Sequence, residues 1–265
     1  MRLLLPQTRP LEWPDLLELY GAGDDGGLRA GFVLSVDGGA AVGGGSRDLQ
    51  SPADQAVFAA LRAVSDAVLV GAGTARAEGY RPVGVRPQGR QWRAARGRSE
   101  RPPLVLVSRS LDLDPGDACF TGPAVVVTCA AADAGRRAAL EAVADVVVAG
   151  DDHVDLPAAV RALDERGLRR LLCEGGPTLL TALLTAGLVD ELCLTTAPVL
   201  LGTAPTLLAQ ALPFPRDLEL VHLVDGGDGS LLTRWRVSYE RSSSVQHLTE
   251  PPALSSSDRS TGTGS

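Results

Sequence analysis

The chain has 265 residues, of which 45% are hydrophobic, and this is enough to bury the core of one sizeable α/β domain. Its formal net charge of −7 argues against nucleic acid as a partner, because recognition of a phosphate backbone needs a basic surface. The sequence contains no lysine, which excludes Schiff-base catalysis by lysine and a lysine-bearing phosphate loop.

The N-terminal segment, residues 1–28, is interpreted as an extension with one short amphipathic stretch, 11–20, that we expect to pack as a helix. The apolar run after Met1 is too short for a signal peptide, and no segment is long and apolar enough to cross a membrane. We therefore expect a cytoplasmic protein without membrane contact.

From Gly31 onward, segments typical of strands and helices alternate. Apolar, β-rich runs predict strands, and apolar residues at helical spacing, as after the capping residue Ser51, predict helices. The predicted strands cover 31–36, 67–71, 103–108, 124–128, 146–148 and 170–173, and the predicted helices cover 52–64, 134–143, 156–165 and 179–184. This alternation predicts a mostly parallel α/β sheet with helices on both faces, and the glycine-dense segment 37–46 predicts a loop.

The C-terminal part has a different pattern. The run 190–201 predicts one long strand, and the segments 217–224 and 231–239 flank a glycine turn that is typical of an antiparallel hairpin. The portion 193–201 is more apolar than an exposed sheet edge should be, so we expect it to be covered or paired.

Other segments carry weaker signals. Residues 86–102 contain six arginines on a polar background and are interpreted as a solvated loop, the alternative being a lid that attracts phosphorylated ligands. Residues 241–265 are rich in Ser, Thr and Pro and predict a disordered tail, which leaves 29–240 as the folded domain. The cysteines and histidines lack metal-ligand spacing, so we expect buried thiols and no metal site.

The segment 172–180 reads as a strand that runs into a glycine turn and opens a helix. Gly175 and Gly176 allow a sharp turn and a close approach to a ligand, and Pro177 suits the first turn of a helix. The free N–H groups at such a helix start attract phosphate or pyrophosphate. Alone, a junction of this kind is more often a structural turn, so other segments must decide whether it binds a cofactor.

Six short motifs occur in a characteristic order at 34–38, 61–62, 66–74, 174–178, 187–192 and 197–202. Together they resemble the reductase domain of riboflavin-pathway deaminase-reductases, over about residues 29–240. The resemblance implies a dihydrofolate reductase-like fold. The chain has neither the H-x-E nor the P-C-x-x-C signature of the deaminase part, so we expect a reductase only.

The resemblance implies NADPH-dependent reduction of 5-amino-6-(5-phosphoribosylamino)uracil to the ribityl product, and a homodimer, which we expect to form on the apolar strand 193–201. It places Thr74 and Glu78 along the cofactor and Ser108 and Arg109 on the 2′-phosphate that distinguishes NADPH from NADH. The pyrophosphate is expected at the turn and the helix start, on Gly175, Gly176, Pro177, Thr178 and Leu179.

The resemblance also implies substrate contacts at Ser46, Arg62 and Glu174, with the arginine on the phosphate and the glutamate on a polar edge of the pyrimidine or sugar. Asp37 is the candidate acid–base or orienting residue beside the nicotinamide, although Asp-Gly after a strand is also ordinary turn chemistry. The sequence departs from the family's usual Asp-Asp-Pro at 78–80, where it reads Glu-Gly-Tyr.

Two other functions stay open on the sequence alone. A pocket of this fold could accept a dihydropterin, which would make the protein a reductase of folate-type substrates with Asp37 or Glu174 paired to the pterin. The chain could also bind NADP without catalysis. Turnover of the candidate substrates would distinguish these functions.

Overall fold

The computed structural model of the protein describes residues 1–22, 26–202 and 204–239. Within these residues, no helix is long and apolar enough to span a bilayer. The predicted tail, 241–265, lies outside the described residues, so its disorder and the domain limits stay predictions.

The N-terminal segment forms β1 (Arg2–Leu5), β2 (Arg9–Pro10) and α1 (Trp13–Gly21). The alternating part of the chain forms β3 (Gly27–Ser35), α2 (Pro52–Val64), β4 (Ala67–Gly71), α3 (Ala72–Glu78), α4 (Pro87–Ala94), β5 (Leu104–Val107), β6 (Ala124–Thr128), α5 (Ala134–Glu141), β7 (Asp145–Val148), α6 (Leu156–Glu165), β8 (Arg170–Cys173) and α7 (Pro177–Thr185). The last part forms β9 (Glu191–Ala197), β10 (Asp217–Asp225) and β11 (Leu231–Ser238).

The described strands form one sheet in the order β2-β1-β10-β11-β9-β3-β8-β4-β5-β6-β7. The half from β9 through β3 to β7 is parallel, and the half from β9 to β2 is antiparallel. This arrangement confirms the predicted mostly parallel α/β sheet with an antiparallel C-terminal hairpin. In the parallel half, the loops that can hold ligands gather at the carboxyl ends of the strands.

Local sequence signals account for several helices. Ser51 caps α2, because its hydroxyl accepts the backbone N–H of Asp54 at 3.2 Å and Pro52 occupies the first turn. Asp155 caps α6 in the same way, by accepting the N–H of Ala158 at 2.8 Å. These caps satisfy N–H groups that the helices themselves leave without partners.

The helices cover both faces of the sheet and define two hydrophobic cores. One core contains side chains of α1, α2, α4 and α5, including the fully buried Leu16 and Leu61. The other contains side chains of α6 and α7, including the fully buried Leu180 and Leu183. Each face of the central strands is therefore apolar, as expected for parallel strands buried on both sides.

The interpretation of residues 86–102 as a solvated loop is wrong in part, although most of the segment is exposed. Part of the segment forms α4, and Arg93 is only 1% exposed. Its guanidinium donates to the carbonyl oxygens of Ala63 at 3.0 Å and of Ser99 at 2.6 Å, and to that of Ser65. The contacts with Ala63 and Ser65 satisfy carbonyl groups at the C-terminal end of α2, where a positive charge is stabilising. The sequence pattern missed this role because it depends on the packing of α4 against α2.

The expectation that the apolar segment 193–201 is covered or paired is confirmed for its strand, but the expectation that this strand is an edge on which a dimer forms is wrong. The strand β9 lies inside the sheet, where β11 and β3 pair with it on its two sides. It ends at Ala197 rather than at Leu201. The apolar character of β9 therefore reflects its pairing within the sheet of this chain.

Candidate active site

A cleft of about 510 Å³ opens at the carboxyl ends of the neighbouring strands β4, β5 and β8. Seven of the nine residues predicted to bind the cofactor line this cleft: Thr74, Ser108, Arg109, Gly176, Pro177, Thr178 and Leu179. The parallel sheet brings them together because each follows the end of one of these strands. The cleft is large enough for part of an extended ligand such as a dinucleotide.

The glycine turn forms one wall of the cleft. Gly175 has a φ of +119°, which side chains rarely allow, and its carbonyl oxygen accepts the N–H of Gly71 at 2.8 Å. A Cβ atom on Gly176 would collide with Oγ1 of Thr74. Gly176 is the N-cap of α7, so the first-turn N–H groups of this helix have no partner within it and can bind an anion.

The opposite wall carries a positive charge. Arg109 is exposed, and its Nε donates to the carbonyl oxygen of Asp152 at 2.9 Å. The hydroxyl of Ser108 is buried and accepts the N–H of Leu111 at 3.0 Å, which leaves its own hydrogen available to donate. The two side chains thus offer a cation and a hydroxyl donor in the same cleft.

Sequence reasoning missed other residues of this cleft. They include Arg76, Ser110 and His153, of which the first lies on α3 after β4 and the last follows β7. Their position just beyond the carboxyl ends of parallel strands is the signal that could have identified them, because ligands of open α/β sheets bind there.

The helix α3 connects the cleft with a second group of polar residues. Thr74 near its start lines the cleft, whereas Glu78 at its end is outside the cleft lining and accepts hydrogen bonds from the backbone N–H and the hydroxyl of Ser46, each at 3.3 Å. Glu78 therefore lies with a residue predicted to contact the substrate, not with the residues predicted to contact the cofactor.

Arg62, Glu174 and Tyr80 form the centre of this second group. Arg62 donates from Nε to Oε1 of Glu174 at 2.6 Å and from Nη2 to Oε2 at 2.7 Å, and the hydroxyl of Tyr80 donates to Oε2 at 3.0 Å. The side chain of Glu174 is 1% exposed and that of Arg62 is 33% exposed. The charge of Glu174 raises the pKa of Arg62, and burial raises the pKa of Tyr80 well above its usual value.

Asp37 lies apart from both groups. Its carboxylate accepts the hydroxyl of Ser35 at 2.5 Å and the N–H of Gly202 at 2.7 Å, and it also accepts the N–H of Leu201. These hydrogen bonds, led by the one from Ser35, lower the pKa of Asp37 to about 2. Asp37 is therefore an anion at neutral pH that holds the loop after β9 against the end of β3.

The chain is similar to proteins of known family and structure. A family model described as the RibD C-terminal domain matches residues 28–232. The chain is 33% identical over 172 residues to the 2,5-diamino-6-ribosylamino-4(3H)-pyrimidinone 5′-phosphate reductase of Methanothermobacter thermautotrophicus, an alignment that covers 64% of this chain and 76% of that relative. It is 32% identical over 144 residues to the reductase of the same name from Archaeoglobus fulgidus, which covers 54% of this chain and 66% of that relative.

A solved structure agrees with these matches. The crystal structure of a pyrimidine reductase-like protein from Corynebacterium diphtheriae superposes with a TM-score of 0.76 at 28% identity, and the match covers 85% of this chain and 99% of that chain. The glycine turn, its cleft and the polar group of Arg62 all lie within the segment that the family model matches.

Proposed function

Because the chain belongs to the RibD C-terminal domain family, we propose that it reduces the ribosylamino group of a phosphorylated pyrimidine with a nicotinamide cofactor. The family match confirms the resemblance that the six motifs predicted. The observation that carries the proposal is the junction at 174–176, where Glu174 belongs to the polar group and the next two residues turn into the cleft. This junction holds a dinucleotide site and a polar substrate site side by side.

The residues of the cleft fit a dinucleotide. The start of α7 supplies N–H groups for a pyrophosphate, and Arg109 and Ser108 supply a cation and a hydroxyl for a 2′-phosphate, so we propose NADPH as the cofactor. When bound, the cofactor supplies the hydride that reduces C1 of the sugar and opens it to a ribityl chain. The glycine turn lets the ligand approach the backbone closely because no side chain intervenes.

On the substrate side, we propose that Arg62 binds the phosphate and that Ser46 contributes a hydroxyl. Of Arg62, Glu174 and Tyr80, only Arg62 is positively charged, and its side chain is 33% exposed. Glu174 is 1% exposed. Glu78 bonds to Ser46 and orients its hydroxyl. For Asp37, the occupied carboxylate fits an orienting role better than proton donation.

The exact pyrimidine is open to a direct test. The curated relatives carry the name of a diaminopyrimidinone phosphate, and the sequence motifs imply the corresponding uracil, which has an oxygen in place of the 2-amino group. The sugar phosphate on which the reduction acts is common to both. The assay follows nicotinamide absorbance with each compound and with dihydrofolate. Turnover of either pyrimidine supports the proposal, whereas NADPH binding without turnover, or turnover of dihydrofolate alone, contradicts it.

We also propose that the protein is a homodimer in the cytoplasm. We place the dimer interface on one face of the antiparallel half of the sheet, the face that carries Leu5, Leu223 and Leu231. Leu5, Leu223 and Leu231 share this face, because Leu5 pairs with Leu223 and Leu223 pairs with Thr233, two positions from Leu231. Leu5 and Leu231 are each 45% exposed, and exposed apolar clusters of this kind are typical of interfaces. Light scattering at micromolar concentration should show a dimer, and Leu231→Glu should yield a monomer. A monomeric wild-type protein would contradict this assignment.

A further inference from the structure

Tyr80 takes part in none of the roles proposed above. It follows α3 directly, and its hydroxyl reaches Oε2 of Glu174 at 3.0 Å. The same oxygen accepts Nη2 of Arg62 at 2.7 Å, so Glu174 is shared between a phenol and a guanidinium. The tyrosine thus contacts the carboxylate that holds the phosphate-binding arginine, and it also interacts with the arginine itself.

We propose that Tyr80 is a positioning residue for phosphate recognition, because its hydroxyl fixes the carboxylate of Glu174 and thereby the guanidinium of Arg62. The inference rests on the proposed function, in which Arg62 binds the phosphate of the substrate.

The contacts of Arg62 show what is positioned. Two of its nitrogens, Nε and Nη2, bind Glu174, and the guanidinium also interacts with the hydroxyl of Tyr80. The glutamate is 1% exposed and the arginine is 33% exposed, so the carboxylate is hidden and the guanidinium is presented. A buried carboxylate in this arrangement orients the arginine and has no exposed oxygen with which to contact substrate.

The phenol adds a third contact to the carboxylate. A carboxylate has about four lone-pair sites, and the guanidinium fork occupies two. The hydrogen bond from Tyr80 occupies a third, so the carboxylate is held from two directions. Since burial and the charge of Glu174 raise the pKa of Tyr80, its hydroxyl stays protonated and can only donate to the carboxylate.

Tyr80→Phe removes the hydroxyl and keeps the ring. We expect the KM for the pyrimidine phosphate to rise about tenfold, the loss of one hydrogen bond to a charged group, with kcat and NADPH affinity changed less than twofold. The Kd of ribose 5-phosphate, measured by titration calorimetry without turnover, should rise by a similar factor. Tyr239→Phe is the matched control, because the hydroxyl of Tyr239 bonds only to the backbone of Val189 among the described residues. It should leave KM and Kd unchanged.

A phosphate-free substrate analogue separates positioning from a general structural effect. Its KM should be the same in the wild type and in Tyr80→Phe, and Tyr80→Phe should have no further effect on ribose 5-phosphate in an Arg62→Ala background. An unchanged KM and Kd, or an equal loss with the phosphate-free analogue, would overturn the inference.

Glu174→Gln tests the same link if Tyr80→Phe does not fold. A neutral amide cannot hold the guanidinium as the carboxylate does, so the Kd of ribose 5-phosphate should again rise about tenfold, and an unchanged Kd overturns the inference.

If the wild type binds ribose 5-phosphate in a Tyr80-dependent manner but reduces no pyrimidine, the proposed function fails and the inference stands. If pyrimidine turnover is present and Tyr80→Phe matches the wild type, the inference fails and the proposed function stands.

Discussion

Two glutamates with mostly buried side chains bind arginine, and the arginine of one cluster is the more exposed: Arg62 is 33% exposed, whereas Arg29 and Arg234 are 15% and 9% exposed. In the open cluster, beside the cleft, Glu174 binds Nε and Nη2 of Arg62. In the antiparallel half, Glu191 binds both Arg29 and Arg234, at shortest distances of 2.5 and 2.6 Å. These two arginines also donate to the backbone carbonyls of Tyr20 and Leu19 at the end of α1.

The closed cluster of Glu191, Arg29 and Arg234 therefore links α1 to the sheet. The open cluster of Glu174 and Arg62 leaves part of its arginine exposed. Burial alone would raise the pKa of Glu191, but the hydrogen bonds and charges of its arginine partners lower it. Similar ion pairs can therefore have different roles, depending on how exposed their arginines are. Substitutions in the two clusters should consequently affect different properties.

The largest expected effect is on stability, from Glu191→Gln. The change leaves two mostly buried arginines without their counter-ion, so the free energy of unfolding should fall by about 3–5 kcal/mol. Urea denaturation measures the loss. The control is Glu219→Gln, which breaks an exposed pair with Arg236 and should cost less than about 1 kcal/mol. A loss no larger than in the control would show that the closed cluster does not stabilise the fold.

Asp54 is a contrasting case, because it is a fully buried acid whose two carboxylate oxygens have no hydrogen-bond partner among the described residues. Desolvation raises its pKa to about 6, and the charge of Asp228 adds to the shift. Since the folded-state pKa exceeds the unfolded value of 3.8, this group favours the folded state below pH 4 and loses that contribution as the pH rises through about 6.

We expect the wild type to lose on the order of 3 kcal/mol of stability relative to Asp54→Asn between pH 4 and pH 7.5. Denaturation curves of the two proteins at both pH values give the difference. Burial lowers the pKa of His222 to about 4, which acts in the opposite direction, but it is common to both proteins and cancels. A difference that does not change with pH would refute the assignment.

In the cleft, Arg109→Ala should change cofactor preference and leave the closed cluster intact. A charge-assisted hydrogen bond to phosphate contributes about 1.5–3 kcal/mol, so the ratio of kcat/KM for NADPH over NADH should fall at least tenfold. Steady-state kinetics with both cofactors measures it, and Arg236→Ala on the exposed hairpin serves as the control. An unchanged ratio would remove Arg109 from the 2′-phosphate site.

The smallest effect is expected from Asp37→Asn. Because hydrogen bonds hold the pKa of Asp37 at about 2, an orienting role predicts a fall in kcat of about tenfold, the loss of one charge-assisted bond, with the shape of the pH profile unchanged. A proton donor would lose about 10²–10⁴-fold in rate together with one limb of the profile. The profile of kcat between pH 5 and pH 9 distinguishes the two roles.

Local signals determined much of the architecture from sequence alone. The cap at Ser51, the glycines at 175 and 176, and the alternation of strands with helices depend on hydrogen bonds and spacing within a few residues. They predicted the parallel sheet and the glycine turn that forms one wall of the cleft, whereas Thr74, Ser108 and Arg109 were predicted from the resemblance to the family. The family motifs added Arg62 and Glu174, but they did not show that the two side chains bind each other.

Features that depend on contacts between distant segments were seen only in the tertiary structure. The interior place of β9, the burial of Arg93 and the hydrogen bond from Tyr80 to Glu174 join residues that no local pattern connects. Strand order and side-chain pairing arise from the burial of whole faces, and a residue's own neighbours in sequence carry little information about them. Glutamate and arginine therefore form the open cluster beside the cleft and the closed cluster at the end of α1.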